Sequence, residues 1–473
     1  METMNEVLNF GDPAVWSMIV QFGIISIGLL VGNILRNNVP FLNKSLIPTA
    51  LIGGALLLIF KMIPGMNAVI DKSSMEMITY HALGIGFVAL ALKNNGVVAK
   101  AKPITIIETG TLTASTYILQ GIVGLLISGT IYLIGHNIFY ASGMLLPMGY
   151  GQGPGQALNI GGIYLGEAMK NESMAFPGKD FGLSIAAMGF ILGSVISVVY
   201  LNILRRKGKI KVSEIKERQA NKLSDYEGPN EIPDSESVDK LSIQICLVMM
   251  TYSLVYFFNK GLQALPLGTF GKETLMPLMW GFNFFIGTLF GFLVKWILNT
   301  LKKKNIVKRE YSNNYLLNRI SGFAFDIMIV AGTASINFNS LKEYALPLII
   351  ICVVGAAATF FFVLKVCEHL YPKYKYEGFL SMFGMLTGTA SNGMILLREI
   401  DPKFETPAAT NLILQAVPAM ALGAPMFLLI GLAPKGLTQT FITLGILVVV
   451  FIIFTIYLFR KKIFKKYKNK IQA

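Results

Sequence analysis

The chain alternates long apolar runs with short polar interruptions, at a spacing far wider than that of strands. About 20 apolar residues cross the hydrocarbon core of a bilayer as a helix. Eleven segments meet or approach that length: Pro13–Leu35, Ser45–Ile63, Met75–Leu92, Ile104–Ile134, Phe181–Leu204, Leu241–Gly261, Leu275–Leu298, Leu316–Ile336, Tyr344–Leu370, Pro407–Ala433 and Leu437–Phe459. Between the fourth and fifth lies MGYGQGPGQALNIGG, Met148 to Gly162, in which Gly149, Gly151, Gly153 and Gly155 alternate with Tyr150, Gln152 and Pro154. Helix propensity is poor there, so irregular backbone is expected. Such backbone persists at membrane depth only inside protein or against a watery cavity; the alternative is an ordinary external loop. A second small and polar stretch, Gly378 to Asp401, separates the ninth and tenth segments.

Basic residues set the orientation, because Lys and Arg favour cytoplasmic loops. The strongest clusters follow segments one, three, five, seven and eleven, ending in RKKIFKKYKNK at the C-terminus. That places the N-terminus outside and the C-terminus in the cytoplasm of a multi-pass protein of the inner or plasma membrane. The first five segments then start outside and the next five start inside, with one glycine-rich stretch before the last segment of each set. The predicted fold is therefore an all-α integral membrane protein of about 11 transmembrane helices, with two inverted five-helix repeats that each carry a re-entrant loop. The expected divisions are residues 1–204 with a re-entrant loop at 143–162, a cytoplasmic linker at 205–239, residues 240–434 with a loop at 378–401, and an added helix and basic tail at 435–473.

Composition agrees. Of 473 residues, 53% are hydrophobic and 14% charged, and the net charge of +15 sits in short loops beside apolar segments, which argues against nucleic acid as a partner. Cys246, Cys352 and Cys367 have no metal or disulfide spacing, and three histidines support no hydrolytic set. No ATP motif and no tightly bound cofactor is indicated, so an ion gradient is the expected energy source and an enzyme reading is set aside.

Candidate chemistry gathers in the two loops. A small anionic amino acid or carboxylate calls for N–H donors and helix N-termini, and Na+ calls for several oxygens. In the first loop Gly151, Gly153 and Gly155 permit close backbone approach, while Gln152, Gln156 and Asn159 add side-chain donors and acceptors. In the second, Gly388 is small, and Thr387, Thr389, Ser391 and Asn392 offer oxygens. For each polar residue the alternative is a bond that closes the loop's own backbone. Asp326, deep in the eighth segment, is the best single ion-binding candidate beside Thr387 and Thr389, since ionisable residues within spans are functional by default. Glu108 can simply face cytoplasmic water, and His81 reads as a satisfied interface histidine. Arg398, Glu399 and Asp401 read as a local salt bridge or gate.

Over nearly all of residues 14–434 this layout resembles the bacterial sodium/glutamate symporter family. IPTALIGG (Ile47–Gly54) is similar to that family's Ile-Pro…Gly-Gly pattern through Pro48, Gly53 and Gly54. GYGQGPGQA stands where the family has a Gly-Gly-x-Gly-Thr-type motif. FGMLTGTA matches through Gly384 and Gly388, and Val417-Pro418 falls at a similar dipeptide. Gln152, Pro154 and Gln156 replace a His, a Thr and a small residue, Thr49 and the Gly423–Pro425 region lack family acids, and the eleventh segment is added. The resemblance implies sodium-coupled symport of glutamate or a related acidic amino acid by alternating access, in a homodimer. Coupling to protons, a di- or hydroxycarboxylate or another amino acid as solute, and a channel or sensor without transport are the rival expectations.

Overall fold

The computed structural model describes residues 12–66, 69–93, 102–135, 138–210, 239–269, 271–307, 311–401 and 405–471. The helices are α1 (Pro13–Asn38), α2 (Pro40–Lys44), α3 (Thr49–Lys61), α4 (Lys72–Leu92), α5 (Pro103–Leu133), α6 (Leu145–Gln152), α7 (Pro154–Glu172), α8 (Gly178–Arg206), α9 (Lys240–Gln263), α10 (Met276–Gly281), α11 (Asn283–Lys303), α12 (Asn314–Ser335), α13 (Ala345–Leu370), α14 (Lys375–Leu386), α15 (Ala390–Arg398), α16 (Ala408–Leu414), α17 (Ala416–Leu432) and α18 (Leu437–Ile471). The structure is 84% helical, with no strand among the described residues. Among those residues ten helices are long and apolar enough to cross a membrane, which makes this an all-α, multi-pass membrane protein.

Local chemistry starts these helices where the sequence turns apolar. Asp71 caps α4 through the N–H groups of Ser73 and Ser74 (3.3 and 2.8 Å). Asp239 does the same for α9 through Ser242 N, and Asn313 for α12 through Leu316 N, both at 3.1 Å. Side-chain oxygens in that position satisfy donors that the first turn otherwise leaves open. Pro103 and Pro154 stand at the start of α5 and α7, where a missing N–H costs nothing.

Several expectations from sequence are corrected. The second segment yields only the 13 residues of α3; Leu46 has φ +59, and Pro48 ahead of Thr49 delays the helix start. The seventh is broken at Phe282 between α10 and α11, and the tenth at Gln415 between α16 and α17. The basic tail continues α18 as helix to Ile471 rather than leaving it at Phe459. Most clearly, the two glycine-rich stretches are helical, with breaks of one to three residues at Gly153 and at Thr387–Thr389. Propensity lost to tertiary packing at both, because burial against neighbours outweighs a cost of about 1 kcal/mol per glycine. Most of the expected 205–239 linker lies outside the described residues.

Contacts at the helix ends show which termini lie together. Tyr132, closing α5, donates to Glu172 at the close of α7 (3.0 Å). Lys435 pairs with Glu167 of α7 at 2.6 Å. Lys72, opening α4, reaches Asp180 in the first turn of α8 at 2.9 Å. This is the Asp180 end. At the opposite Glu108 end, Glu108 of α5 pairs with Arg460 and Lys461 of α18 (2.6 and 2.9 Å), and Arg205 of α8 lies 4.0 Å from Glu399. Glu108 is 2% exposed, so its expected cytoplasmic exposure is corrected: the eleventh long segment arrives with two cations and covers it.

Packing sorts the long helices into two bodies that each mix helices from both halves of the chain. In the first, α4 packs most extensively on α12, with α3 on α1 and α12, and α11 on α4 and α9. In the second, α5 is surrounded by α13, α17 and α18, while α6 and α7 pack on α8 and α14 packs on α13 and α15. The broken helices α6/α7 and α14/α15 thus both belong to the second body.

Candidate functional site

Gly153 closes α6 and opens α7, with φ +80 and ψ −174. That backbone region is essentially open only to glycine, so one residue turns the chain between two helices without further irregularity. Downstream, α7 runs antiparallel to α8: a β-carbon at Gly182 would meet the Ala157 carbonyl, and Gly149 of α6 lies against Ile185 and Ala186 of the same helix. The second break is built otherwise. Thr389 accepts from Asn392 N (3.4 Å) and caps α15, Thr387 Oγ1 donates to Phe383 O (2.8 Å), and Gly393 of α15 folds back against Ser381 and Met385 of α14.

The two breaks touch. A β-carbon at Gly153 would lie 3.6 Å from Thr389 Cγ2 and 3.6 Å from Met328 Cε of α12. Thus the first turns of α7 and α15, with their positive helix ends, start at one place where the second body meets the first. On the first-body side, Leu83 and Met328 face Gly155, and Gly332 faces Pro154.

Polar side chains of α5 hold the incoming arms. Tyr117 OH donates to Gly151 O (2.9 Å) in the last turn of α6. Gln120 Nε2 donates to Leu386 O (2.9 Å) in the last turn of α14 and to Thr359 Oγ1 (3.0 Å). One turn of α5 therefore serves orphan carbonyls of both arms. From the other side, α8 presents Gly189 and Gly193 to Thr387, and Phe190 to Gly388. Larger residues at those glycines would push the second break away.

The sequence candidates fare unequally. Gly153, Gly155, Gly388 and Thr389 lie at or beside the contact between the breaks. Gln156 is fully buried, and neither amide atom has a partner among the described residues. Asn392 donates to Gly384 O (3.4 Å), and its Oδ1 is buried without a partner. Gly151 is taken up by Tyr117, Gln152 is half-buried and Ser391 exposed. Two candidates have partners within the fold. Asn159 donates to Gly281 O (2.8 Å), tying α7 to the end of α10, and the Thr387 hydroxyl donates to Phe383 O of its own helix. Asp326 is not brought to the breaks: Met328 points at Gly153, and Asp326, two residues earlier, lies about 200° around the helix on an exposed face. His81 is satisfied, with Nδ1 3.0 Å from Tyr252 OH. Asp401 closes its own loop, accepting from Glu405 N, Thr406 N and Thr406 Oγ1. Among the described residues no cluster of His, Cys, Asp or Glu has metal-binding geometry.

Sequence reasoning missed Tyr117, Gln120 and Met328. For the first two a signal existed, since a Tyr and a Gln three residues apart inside an apolar run share one helix face. For Met328 there was none.

No family model matches the chain, and no curated protein matches it in sequence.

Proposed function

We propose that this protein is a secondary active transporter that carries glutamate or a related acidic amino acid together with Na+ by alternating access. The observation that carries the reading is the contact between the Gly153 and Thr389 breaks, where two helix N-termini converge at the boundary of two bodies. A carboxylate would be met there by the first-turn N–H groups of α7 and α15, as anions are at helix N-termini in general. The buried, unpaired amide of Gln156 would supply a donor, or an acceptor for an ammonium group. Na+, the coupling ion, would take carbonyl and hydroxyl oxygens around Thr389. Asp326 lies on another face of α12 from this contact.

In this reading the arms α6/α7 and α14/α15 are re-entrant loops of two inverted repeats, entering from the Asp180 end and the Glu108 end respectively. The Asp180 end faces outside and the Glu108 end the cytoplasm, as the basic clusters require. The second body moves relative to the first, and the site between them opens to each side in turn. A homodimer through the first body remains part of the proposal.

Thermal shift of the purified protein across a panel of amino and carboxylic acids, with Na+ or choline, tests it. Stabilisation by an acidic amino acid only when Na+ is present supports the reading; stabilisation indifferent to Na+ but dependent on pH favours proton coupling.

A further inference from the structure

Charged contacts between the two bodies are unevenly placed. At the Asp180 end Lys72 of α4 donates to both carboxylate oxygens of Asp180 on α8, each at 2.9 Å. One turn into α4, Glu76 accepts from Lys179 of α8 at 2.6 Å and lies 3.8 Å from Lys72. The four residues form a ladder of alternating sign, Lys179–Glu76–Lys72–Asp180, two rungs from each body. Asp180 is 4% exposed and also accepts from Asn337 N (3.0 Å) and Ser340 Oγ (2.9 Å), in the segment leaving α12. A more exposed pair, Lys170–Glu273 at 2.7 Å, joins α7 to the turn just ahead of α10.

At the Glu108 end the pairs of Glu108 with Arg460 and Lys461, and of Arg205 with Glu399, each lie within the second body. Across the boundary there is a neutral bond, Ser194 Oγ to Leu46 O at 3.4 Å, and a longer-range attraction between Arg36 and Glu399.

We propose that the Lys179–Glu76–Lys72–Asp180 ladder is a latch that shuts the boundary between the bodies at the Asp180 end. A solute coming from that side reaches the Gly153–Thr389 contact only after the ladder parts. Partly buried pairs hold well while intact, and each lone charge is costly if its partner leaves without water replacing it. The latch therefore opens when water enters the boundary, and it favours the conformation seen here. This inference rests on the transport reading above, since a latch matters only if the bodies separate.

The test places a reporter at the boundary: Met328→Cys, which is 1% exposed and faces Gly153, in a Cys246→Ala background. A membrane-impermeant maleimide is added to sealed vesicles on the face bearing Asp180. With the ladder intact Met328→Cys should resist labelling. Adding Glu76→Lys, which sets like charges beside Lys72 and Lys179, should speed labelling at least about fivefold, the low end for coupled two-state equilibria. Adding Lys179→Glu as well rebuilds an opposite-charge pair and should restore protection. If Glu76→Lys fails to insert, Glu76→Gln gives the same ordering at lower amplitude. Labelling unchanged by the single substitution, or not restored by the swap, overturns the latch. Isotope uptake is measured in parallel on the chain without the reporter: gated labelling without any uptake would leave the latch standing and overturn transport, while uptake with ungated labelling would do the reverse.

Discussion

The two helix breaks meet at one point but are built by different means. The first turns on a single glycine with positive φ, and its outgoing helix starts on Pro154 with no side-chain cap. The second uses no positive φ; a threonine caps the outgoing helix and a second threonine binds back to the incoming one. The second break has thus spent part of its own hydrogen-bonding capacity, with Asn392 Oδ1 left over, whereas the first leaves both atoms of the Gln156 amide open. The difference assigns unequal roles. In the proposed transport reading the Gly153 break offers more to a ligand, and the Thr387–Thr389 break, where Asn392 Oδ1 is left over, is the wall against which it closes.

That contrast can be broken most severely at Gly153. Gly153→Val places a β-branched residue in a conformation costing about 1–3 kcal/mol and crowds Met328 and Thr389. Uptake should be abolished while the protein still inserts and elutes as a single species. Gly388→Val, against Phe190 and Asn392 at 2.9 and 3.0 Å, should also abolish uptake, but through a clash rather than backbone strain.

Next in size is Gln156→Leu, where stability and function should part. A buried amide without partners costs about 1–3 kcal/mol, so the apolar variant should melt higher without ligand. Ligand-induced stabilisation should fall at least severalfold. A variant that melts higher and binds normally would remove Gln156 from the site.

Gln120→Leu tests the wall. It leaves Leu386 O and the Thr359 hydroxyl unserved, an expected loss of about 1–3 kcal/mol, visible as a lower melting temperature. Thr389→Ala, which removes a long capping bond, should cost about 0.5–1 kcal/mol at the low end for such caps.

Smallest is a pH effect remote from both breaks. Hydrogen bonds from Ser74, with help from Ser73, hold the Asp71 carboxylate below its usual range. A depressed carboxylate contributes stability that is present above its unfolded-state pKa and lost as pH falls through the folded one. Wild type should therefore lose slightly more thermal stability than Asp71→Ala when acidified below about pH 4, near the ordinary carboxylate range.

The apolar pattern located the long helices, because 20-residue runs leave few alternatives. It also located both breaks in chain position, since Gly153 and Gly388 lie inside the two stretches singled out. What it could not show was their brevity. Glycine-rich sequence reads as loop, yet Gly149 and Gly155 are small because α8, Leu83 and Met328 press against them, a tertiary reason invisible to propensity. The placement of Asp326 was hidden for a related cause: depth along a helix is legible in sequence, but which neighbour a face meets is not. The charged ladder was equally hidden, with Lys72 and Asp180 more than a hundred residues apart.

Isotope uptake into liposomes bears most directly on the proposal that the two breaks enclose a sodium-coupled carboxylate site. Purified protein is reconstituted at clamped pH and offered labelled glutamate under an inward Na+ or choline gradient, beside Gly153→Val. Accumulation is expected with Na+, none with choline and none with the variant. Equal uptake in Na+ and choline, or normal uptake by Gly153→Val, would contradict the proposal.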